Sequence, residues 1–219
     1  MTAQSAIAYW NGAYLPLDQV SVSPLDRGFL FADGVYEVVA VYNGRLFRAA
    51  EHLQRLANSL AGIELEARDH DWPALLACIV ERNGGGDLSV YLQVTRGAPA
   101  VRDHGFPSEL TPPTVFAMAK PLKPLSDAVL RAGLTAITMP DIRWGACHLK
   151  TIALLPNVLA RQRALAQGAA DAILVRDGYI TETSAGNVFL VRDGTLYTPR
   201  KDHRILPGIT RDVILELAA

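Results

Sequence analysis

Lys150 has the sequence setting of a lysine that could bond covalently to a carbonyl compound. It follows Cys147-His148-Leu149 and opens an apolar run that continues to Leu155. The chain has four lysines, and the other three lie beside proline or in charged, turn-like segments: Lys120, Lys123 and Lys201. An amine in hydrophobic surroundings loses its proton more readily and can then attack a carbonyl carbon to form a Schiff base. The alternative interpretation is a solvated lysine at the start of a helix.

Two other segments carry arginines suited to binding an anion. A loop of Gly and Pro residues after a strand presents Arg102 and His104 two positions apart, so in an extended chain both side chains would point the same way. The pair could grip a carboxylate, or the loop could simply be solvated. Arg55 follows Glu51 by four residues. It either forms an ion pair along a helix or points inward at a phosphate.

Two segments in the second half have chemistry that suits a charged heterocycle. Glu182 ends a strand and precedes small hydroxyl residues, so it could hold a protonated ring nitrogen, although capping and turn glutamates are common. The segment from Leu206 to Thr210 contains Pro207-Gly208 and has the composition of a helix start, where main-chain N–H groups form an anion site. Together with Lys150 and the Arg/His pair, these features would all be used by one ligand, pyridoxal 5′-phosphate.

The composition is that of an ordinary soluble globular protein. The 219 residues can form one large domain or two small ones, half of them are apolar, and the formal charge is −1. This balance gives no electrostatic reason to expect nucleic acid or a membrane surface as partner. Cys78 and Cys147 have neither a metal-ligand spacing nor a disulfide framework. Because we also recognise no signal peptide and no membrane-spanning run, we expect a cytoplasmic protein without a metal site.

Four Asn-Gly or Asp-Gly pairs predict the β-hairpins that position these residues, because the favoured turn needs positive φ at both central residues. The pairs are Asn11-Gly12, Asn43-Gly44, Asp177-Gly178 and Asp193-Gly194. The first two predict hairpins joining 7–10 to 14–15 and 35–42 to 46–47. The last two predict a meander of strands 172–175, 179–181, 187–191 and 196–198. Strands are also predicted at 89–95 and 114–119.

Helical periodicity predicts helices over 50–60, 72–81 and 152–166, and a last helix that begins near Pro207. Proline-marked residues 121–125 predict a linker between an N-terminal α+β domain, residues 1–120, and a C-terminal α+β domain, residues 126–219.

Several sequence blocks, in order, resemble the fold-type IV (class IV) pyridoxal-phosphate aminotransferases, and within them the D-amino acid branch. The resemblance covers nearly the whole chain. The blocks are Asp26-Arg27-Gly28, Asp33-Gly34-Val35-Tyr36-Glu37-Val38-Val39, Glu51-His52 with Arg55-Leu56, Val94-Thr95-Arg96-Gly97, Arg102-Asp103-His104, Asp141-Ile142-Arg143-Trp144 leading to Lys150, Thr181-Glu182 with Asn187-Val188-Phe189, and Gly208-Ile209-Thr210-Arg211-Asp212-Val213. The resemblance implies a two-domain α+β fold and transamination between a D-amino acid (D-alanine, D-glutamate or D-aspartate) and a 2-oxo acid such as 2-oxoglutarate or pyruvate.

The same resemblance implies a role for each candidate residue. Lys150 would bind the cofactor aldehyde and move the substrate proton, and Glu182 would pair with the pyridine nitrogen. The phosphate would be bound by Arg55, Ile209 and Thr210, and Leu206 would pack on the ring. The substrate carboxylate would be bound by Tyr36, Arg102 and His104, the last two contributed by the partner subunit of a homodimer. Val38 would line the side-chain pocket.

Two features of the chain differ from the family pattern. Relatives continue into a further strand-rich segment, so the C-terminal domain here is shorter, and Ala185 stands where the D-amino acid enzymes tend to have serine. Three alternatives therefore remain open at this point: an aminodeoxychorismate lyase, a branched-chain aminotransferase on the same fold, or a truncated, inactive homologue.

Overall fold

The computed structural model describes residues 6–67, 69–107 and 111–219 of the chain. They form two compact units. The first comprises Met1–Lys123 together with Lys150–Ala153, and the second comprises Pro124–Leu149 and Leu154–Ala219. The model matches the expected α+β class. Among the described residues, no helix is both long enough and apolar enough to span a membrane.

The first unit is built on a six-stranded antiparallel sheet with strand order β2-β1-β6-β5-β3-β4. The strands are β1 (Ile7–Trp10), β2 (Ala13–Pro16), β3 (Gly34–Tyr42), β4 (Arg45–Leu46), β5 (Leu88–Thr95) and β6 (Thr114–Pro121). Long β5 lies between β3 and β6 and pairs with each of them over eight residues. The alternating burial along β3 gives this sheet one apolar face and a second face on which Tyr36 and Val38 are partly exposed.

Two helices cover the apolar face of this sheet. Helix α2 (Ala49–Gly62) packs on β3, and α3 (Trp72–Arg82) packs on β1, β5 and β6. Their leucines, Leu56, Leu60, Leu75 and Leu76, join the strand valines in the core. A short helix, α1 (Arg27–Phe31), precedes β3 and begins at Asp26, whose carboxylate accepts a hydrogen bond from the Gly28 N–H.

The second unit contains a three-stranded sheet and a separate hairpin. Strand β7 (Ala136–Pro140) pairs in parallel with β8 (Asp171–Arg176), and β8 pairs antiparallel with β9 (Tyr179–Thr183). Helix α5 (Leu155–Ala166) packs on β7 and β8. Strands β10 (Leu190–Arg192) and β11 (Thr195–Tyr197) form the hairpin. The remaining helices are α4 (Asp127–Ala132) and α6 (Ile209–Ala218).

All four predicted hairpin turns are confirmed, and the central residues of each have positive φ. The single meander predicted for the second half is wrong. Glu182 of β9 forms an isolated bridge with Asn187. Among the described residues β10 pairs only with β11, so the two hairpins belong to different sheets. Strand β7 (Ala136–Pro140) was not predicted.

The helix predicted over 152–166 begins three residues later, at Leu155. The reason lies in the preceding segment, where Thr151 forms an antiparallel bridge with Val35 and the Ile152 N–H donates to the Gly34 carbonyl. Pro156 then occupies the first turn, where its missing N–H costs nothing. Lys150 therefore lies in an extended segment beside β3 and not at the start of a helix.

Candidate functional site

Lys150 is held against the first residues of β3. Its carbonyl accepts from the Tyr36 N–H at 2.9 Å, and its own N–H donates to the Ser59 hydroxyl of α2 at 3.0 Å. The Nζ atom lies 4.2 Å from the centroid of the Tyr36 ring. The main chain of the lysine is thus fixed on both sides, while its amine rests on an aromatic face.

Tyr36 and Val38 lie on the same face of β3 because they are two residues apart in a strand. Tyr36 stacks on Tyr91 of β5, with ring centroids 5.6 Å apart, and the Tyr91 hydroxyl donates to the Gln93 amide oxygen at 2.6 Å. Burial raises the pKa of Tyr91 to about 12, so this phenol stays a neutral hydrogen-bond donor. Val38 is 38% exposed on this face, where a ligand could reach it.

Arg55 points inward from α2 and forms a buried ion pair with Glu37 of β3. Its Nε donates to Glu37 Oε1 at 2.7 Å and its Nη2 donates to Oε2 at 2.8 Å, a side-on geometry that fixes the guanidinium plane. His52 Nδ1 lies 2.7 Å from the same Oε2. The surface pair with Glu51 is therefore not formed, and Glu51 instead accepts from Arg48.

The Glu37 carboxylate is ionised despite being only 1% exposed. Burial raises its pKa, but the hydrogen bonds from Arg55 and His52 and the charges of Arg55 and Lys150 outweigh burial, so the net shift is downward. One carboxylate thereby holds the proposed phosphate-binding arginine and contributes negative charge toward the proposed catalytic lysine.

Arg102 and His104 lie in an exposed loop, and both approach the side chain of Phe31. The Arg102 guanidinium carbon is 4.7 Å from the centroid of the Phe31 ring, and the His104 ring centroid is 5.0 Å from it. The loop is not a strand, yet the sequence expectation that the two side chains point the same way agrees with this arrangement.

In the second unit, Glu182 is a buried carboxylate with three hydrogen-bond donors. Its Oε1 accepts from Asn187 Nδ2 at 2.9 Å and from the Leu206 N–H at 3.0 Å, while Oε2 forms a very close ion pair with Arg143. Burial raises the pKa of Glu182, and the Arg143 guanidinium opposes that rise. The glutamate is fixed in place and retains acceptor capacity that a protonated ring nitrogen could use.

Arg143 is in turn held by Asp141, whose side chain has no exposed area. Asp141 accepts from Arg143 Nε and Nη2 at 3.0 and 2.9 Å and from the Thr181 hydroxyl at 2.8 Å, and it also pairs with Arg176. Burial raises the pKa of Asp141, but these donors outweigh it and lower the pKa to about 2. Asp141 is thus a permanent anion that keeps Arg143 aimed at Glu182.

Ile209 and Thr210 are the first two residues of α6, so their N–H groups precede the hydrogen-bonding pattern of the helix itself. The residue before them, Gly208, caps the helix without a side-chain bond. A Cβ at Gly208 would lie 2.0 Å from Asn187 Oδ1, so a larger residue requires the Asn187 side chain to move. This helix start has the features of an anion site.

The sequence did not identify Glu37, Arg143 or Asn187 as members of the site. Glu37 had a usable signal, because the two-residue period of β3 places it on the same buried face as Val35 and Val39. A charged residue on an otherwise apolar strand face requires a partner. Arg143 and Asn187 had no such periodic signal, since both lie outside regular elements, although both belong to the blocks that resemble the family.

Comparison with known proteins places the chain in a family. The model of the family described as Amino-transferase class IV matches residues 34–219. The D-alanine aminotransferase of Listeria monocytogenes serotype 1/2a is 40% identical over 95% of this chain and 73% of its own length. That of Bacillus licheniformis is 39% identical, with the same coverage of both chains. The chain therefore belongs to the class IV aminotransferases.

Solved structures agree with this assignment at the level of fold. A branched-chain amino acid aminotransferase from T.th., complexed with N-(5′-phosphopyridoxyl)-L-glutamate, matches 98% of this chain and 73% of its own with a TM-score of 0.83 and 27% identity. The fold IV-transaminase of Curtobacterium pusillum matches 94% of this chain and 71% of its own with a TM-score of 0.80 and 26% identity. Both identities are well below those of the D-alanine aminotransferases.

Proposed function

We propose that this chain is a pyridoxal 5′-phosphate-dependent transaminase that exchanges the amino group of a D-amino acid with a 2-oxo acid. The observation that carries the proposal is the placement of Lys150. It is fixed beside β3 with its amine on Tyr36, in a chain 40% identical to a D-alanine aminotransferase. The higher identity to relatives of that name than to the branched-chain structure favours D-amino acids over L-branched-chain ones.

The residues present suit the chemistry of this cofactor. The described residues include an amine, a buried arginine, a buried carboxylate and a helix start capped by glycine. When bound, pyridoxal 5′-phosphate supplies an aldehyde that accepts the amino group and a ring that withdraws electrons from the substrate Cα–H bond. We propose that Arg55, Ile209 and Thr210 hold its phosphate and that Leu206 packs on its ring.

Two residues would move or hold protons in the reaction. Lys150 would take the proton from the substrate Cα and return it, because a lysine amine in its neutral form can act as a general base. Glu182 would keep a proton on the ring nitrogen, since a carboxylate with a fixed orientation stabilises the adjacent cation. Arg143 acts through Glu182 and is a positioning residue.

Substrate recognition would use the exposed side of the first unit's sheet. Tyr36, Arg102 and His104 would bind the substrate carboxylate, and Val38 would contact the substrate side chain. We propose a homodimer in which Arg102 and His104 of one subunit bind the substrate in the active site of the partner subunit. We also propose that the protein is located in the cytoplasm. We further propose two domains, residues 1–120 and 126–219, joined by the linker 121–125, with residues 150–153 of the second packed in the first compact unit.

A panel of D- and L-amino donors with 2-oxoglutarate tests the proposal. We expect pyruvate from D-alanine and none from L-alanine, and a visible absorption band after incubation with pyridoxal 5′-phosphate. Lys150→Ala should lose both, while the exposed-loop control Lys123→Ala should keep both. Preferential turnover of L-leucine would instead show a branched-chain enzyme. Release of 4-aminobenzoate from aminodeoxychorismate would show a lyase, and a colourless, inactive wild type would show an inactive homologue.

A further inference from the structure

The loop that carries Arg102 and His104 is attached to the first unit through its main chain. Arg27, at the first position of α1, donates from Nη1 to the Asp103 carbonyl at 2.5 Å and to the Gly105 carbonyl at 3.0 Å. Its Nη2 donates to the His104 carbonyl at 3.2 Å. A single guanidinium thus binds three consecutive carbonyl groups of an otherwise exposed segment.

Arg27 is itself held rigidly. It is 4% exposed, and its Nε donates to Asp33 Oδ2 at 2.7 Å. The same oxygen accepts from Arg96 Nε at 2.8 Å. Arg96 continues the network on its other side, donating to the carbonyls of Ile63 and Glu64. The guanidinium of Arg27 is therefore fixed by a partly buried carboxylate as well as by the loop carbonyls.

The backbone around this cluster is also constrained. The Arg27 N–H donates to the Gly97 carbonyl at 2.9 Å, and the Arg96 N–H donates to the Asp33 carbonyl at 3.1 Å. A Cβ at Gly28 would lie 2.3 Å from Thr95 Cγ2, so α1 can approach β5 this closely only with glycine. Three blocks that are separate in sequence, 26–28, 33–34 and 96–97, thus form one structure at the base of the loop.

The Phe31 ring connects this base to the two side chains of interest. It lies 4.9 Å from the Arg27 guanidinium carbon and 4.7 Å from that of Arg102, and the His104 ring is at 5.0 Å. The main chain is held by Arg27 and the side chains rest on Phe31, so the direction of both side chains depends on the same short helix.

We infer that Arg27 is a positioning residue for recognition of the substrate carboxylate: it anchors residues 103–105 so that Arg102 and His104 keep a fixed direction. The inference rests on the proposed function for the role of those two side chains. The anchoring itself does not depend on that function, so the two can be tested separately.

Native-state trypsin cleavage after Arg102 tests the anchoring without using activity. Cleavage requires the loop to open locally, so Arg27→Met should be cut at this bond at least about tenfold faster than wild type, and Arg27→Lys at an intermediate rate. Arg27→Met leaves Asp33 paired with Arg96, so we expect it to fold, which circular dichroism will verify. Arg211→Met, which removes a buried arginine from the second unit, is the matched control and should leave the rate unchanged.

Steady-state kinetics test the consequence for the substrate. With D-alanine, Arg27→Met should raise KM about tenfold and leave kcat within about twofold of wild type, the pattern of lost substrate binding. Dissociation of pyridoxal 5′-phosphate should be unchanged. Arg27→Lys should recover part of the affinity, which a general loss of folding would not show.

Each result decides one part of the inference. A folded Arg27→Met that is cut after Arg102 at the wild-type rate overturns the anchoring. Faster cleavage with unchanged KM overturns the link to the carboxylate. A wild type that does not transaminate D-amino acids refutes the proposed function, and the cleavage rates still decide whether Arg27 anchors the loop.

Discussion

At the scale of single residues, this protein has carboxylates of low exposure that each bind two side-chain nitrogen groups. Glu37 binds Arg55 and His52, Asp33 binds Arg27 and Arg96, and Asp141 binds Arg143 and Arg176. A buried charge is costly unless it is paired and hydrogen-bonded, and sharing one anion between two donors fixes both of them. In each cluster at least one of the cations then points to a residue that we assign to the site.

Glu37→Gln should reveal whether Arg55 binds phosphate. The substitution leaves a buried guanidinium without its counter-ion, so we expect it to cost about 3 kcal/mol of stability in the absence of anions. A phosphate bound at Arg55 would replace the missing charge. Inorganic phosphate should therefore raise the melting temperature of the variant more than that of wild type.

The control for this prediction is Asp33→Asn, which also removes a carboxylate shared by two arginines but lies outside the proposed phosphate site. Phosphate should raise the melting temperature of Asp33→Asn by the same amount as that of wild type. Chloride at matched ionic strength separates phosphate binding from screening. If phosphate raises the melting temperatures of Glu37→Gln and wild type equally, Arg55 is not a phosphate ligand.

Asp141 should make the protein sensitive to acid. Its pKa is about 2 in the folded chain and near 3.8 when unperturbed, so the folded state holds the ionised form more strongly. The resulting stability, about 2 kcal/mol, is fully present above about pH 5 and is lost as the pH falls toward 2. Denaturant unfolding between pH 5 and 3 should show a shallower pH dependence for Asp141→Asn than for wild type.

Glu182 changes the free energy of unfolding with pH in the opposite direction to Asp141. Because burial raises its pKa, its contribution to stability is present at low pH and is lost as the pH rises through its folded pKa. Asp141 contributes to the raised pKa of Glu182, so the substitution changes both groups, and the same pair of proteins compared in a Glu182→Gln background isolates Asp141. Identical pH dependence in the two would show that Asp141 is not the low-pKa group.

At the scale of elements, the sequence predicted what depends on local chemistry. Four Asn-Gly or Asp-Gly pairs lying between β-prone runs placed all four hairpin turns, since these residues adopt positive φ more readily than others. The sequence did not predict which strands share a sheet. Thr151 bridges to Val35 across more than a hundred residues, and this pairing, which delays α5 and places Lys150, depends on contacts that no local pattern encodes.

The candidate site shows the same division. Lys150, Glu182 and the Arg102/His104 pair were identified by residue type and by resemblance, whereas the residues that orient them were not. Arg143 reaches Glu182 from 39 positions away, and Arg27 reaches the 103–105 loop from 76 to 78 positions away. Partners at such separations are determined by tertiary structure, so a single sequence does not reveal them.

Gly208→Ala should disturb Glu182 through Asn187. Gly208 has φ −69°, so alanine would not strain the backbone, and the effect must come from the 2.0 Å contact between the new Cβ and Asn187 Oδ1. Asn187 would have to move away from Glu182 and from the Leu206 carbonyl. We expect a loss of about 1–3 kcal/mol in the free energy of unfolding.

A double-mutant cycle checks this explanation. In an Asn187→Ala background the obstructing side chain is absent, so Gly208→Ala should cost much less than it does in wild type. Chemical denaturation of the four proteins gives the coupling free energy. Additive effects would show that the glycine is required for another reason.

At the scale of the whole molecule, the two units have unequal cores among the described residues. The core of the first contains valines, leucines, an isoleucine and two alanines, nearly all of them from three strands and two helices. The core of the second consists of Ala160, Ala164, Ala169, Ala172 and Leu174, with Ile137 and Met139 packed against it. Burial of apolar area stabilises a unit roughly in proportion to that area, so the second unit has less intrinsic stability.

Amide hydrogen exchange followed by mass spectrometry should therefore find slower exchange in β3 and β5 than in β7, β8 and α5. Because the proposed contacts to the ring nitrogen and phosphate lie largely in the second unit, pyridoxal 5′-phosphate should slow exchange there more than in the central strands. Lys150→Ala, measured with the same addition, controls for non-specific effects. Equal exchange in the two sets of elements without cofactor would mean that the chain opens as one cooperative unit and that the small alanine core does not limit its stability.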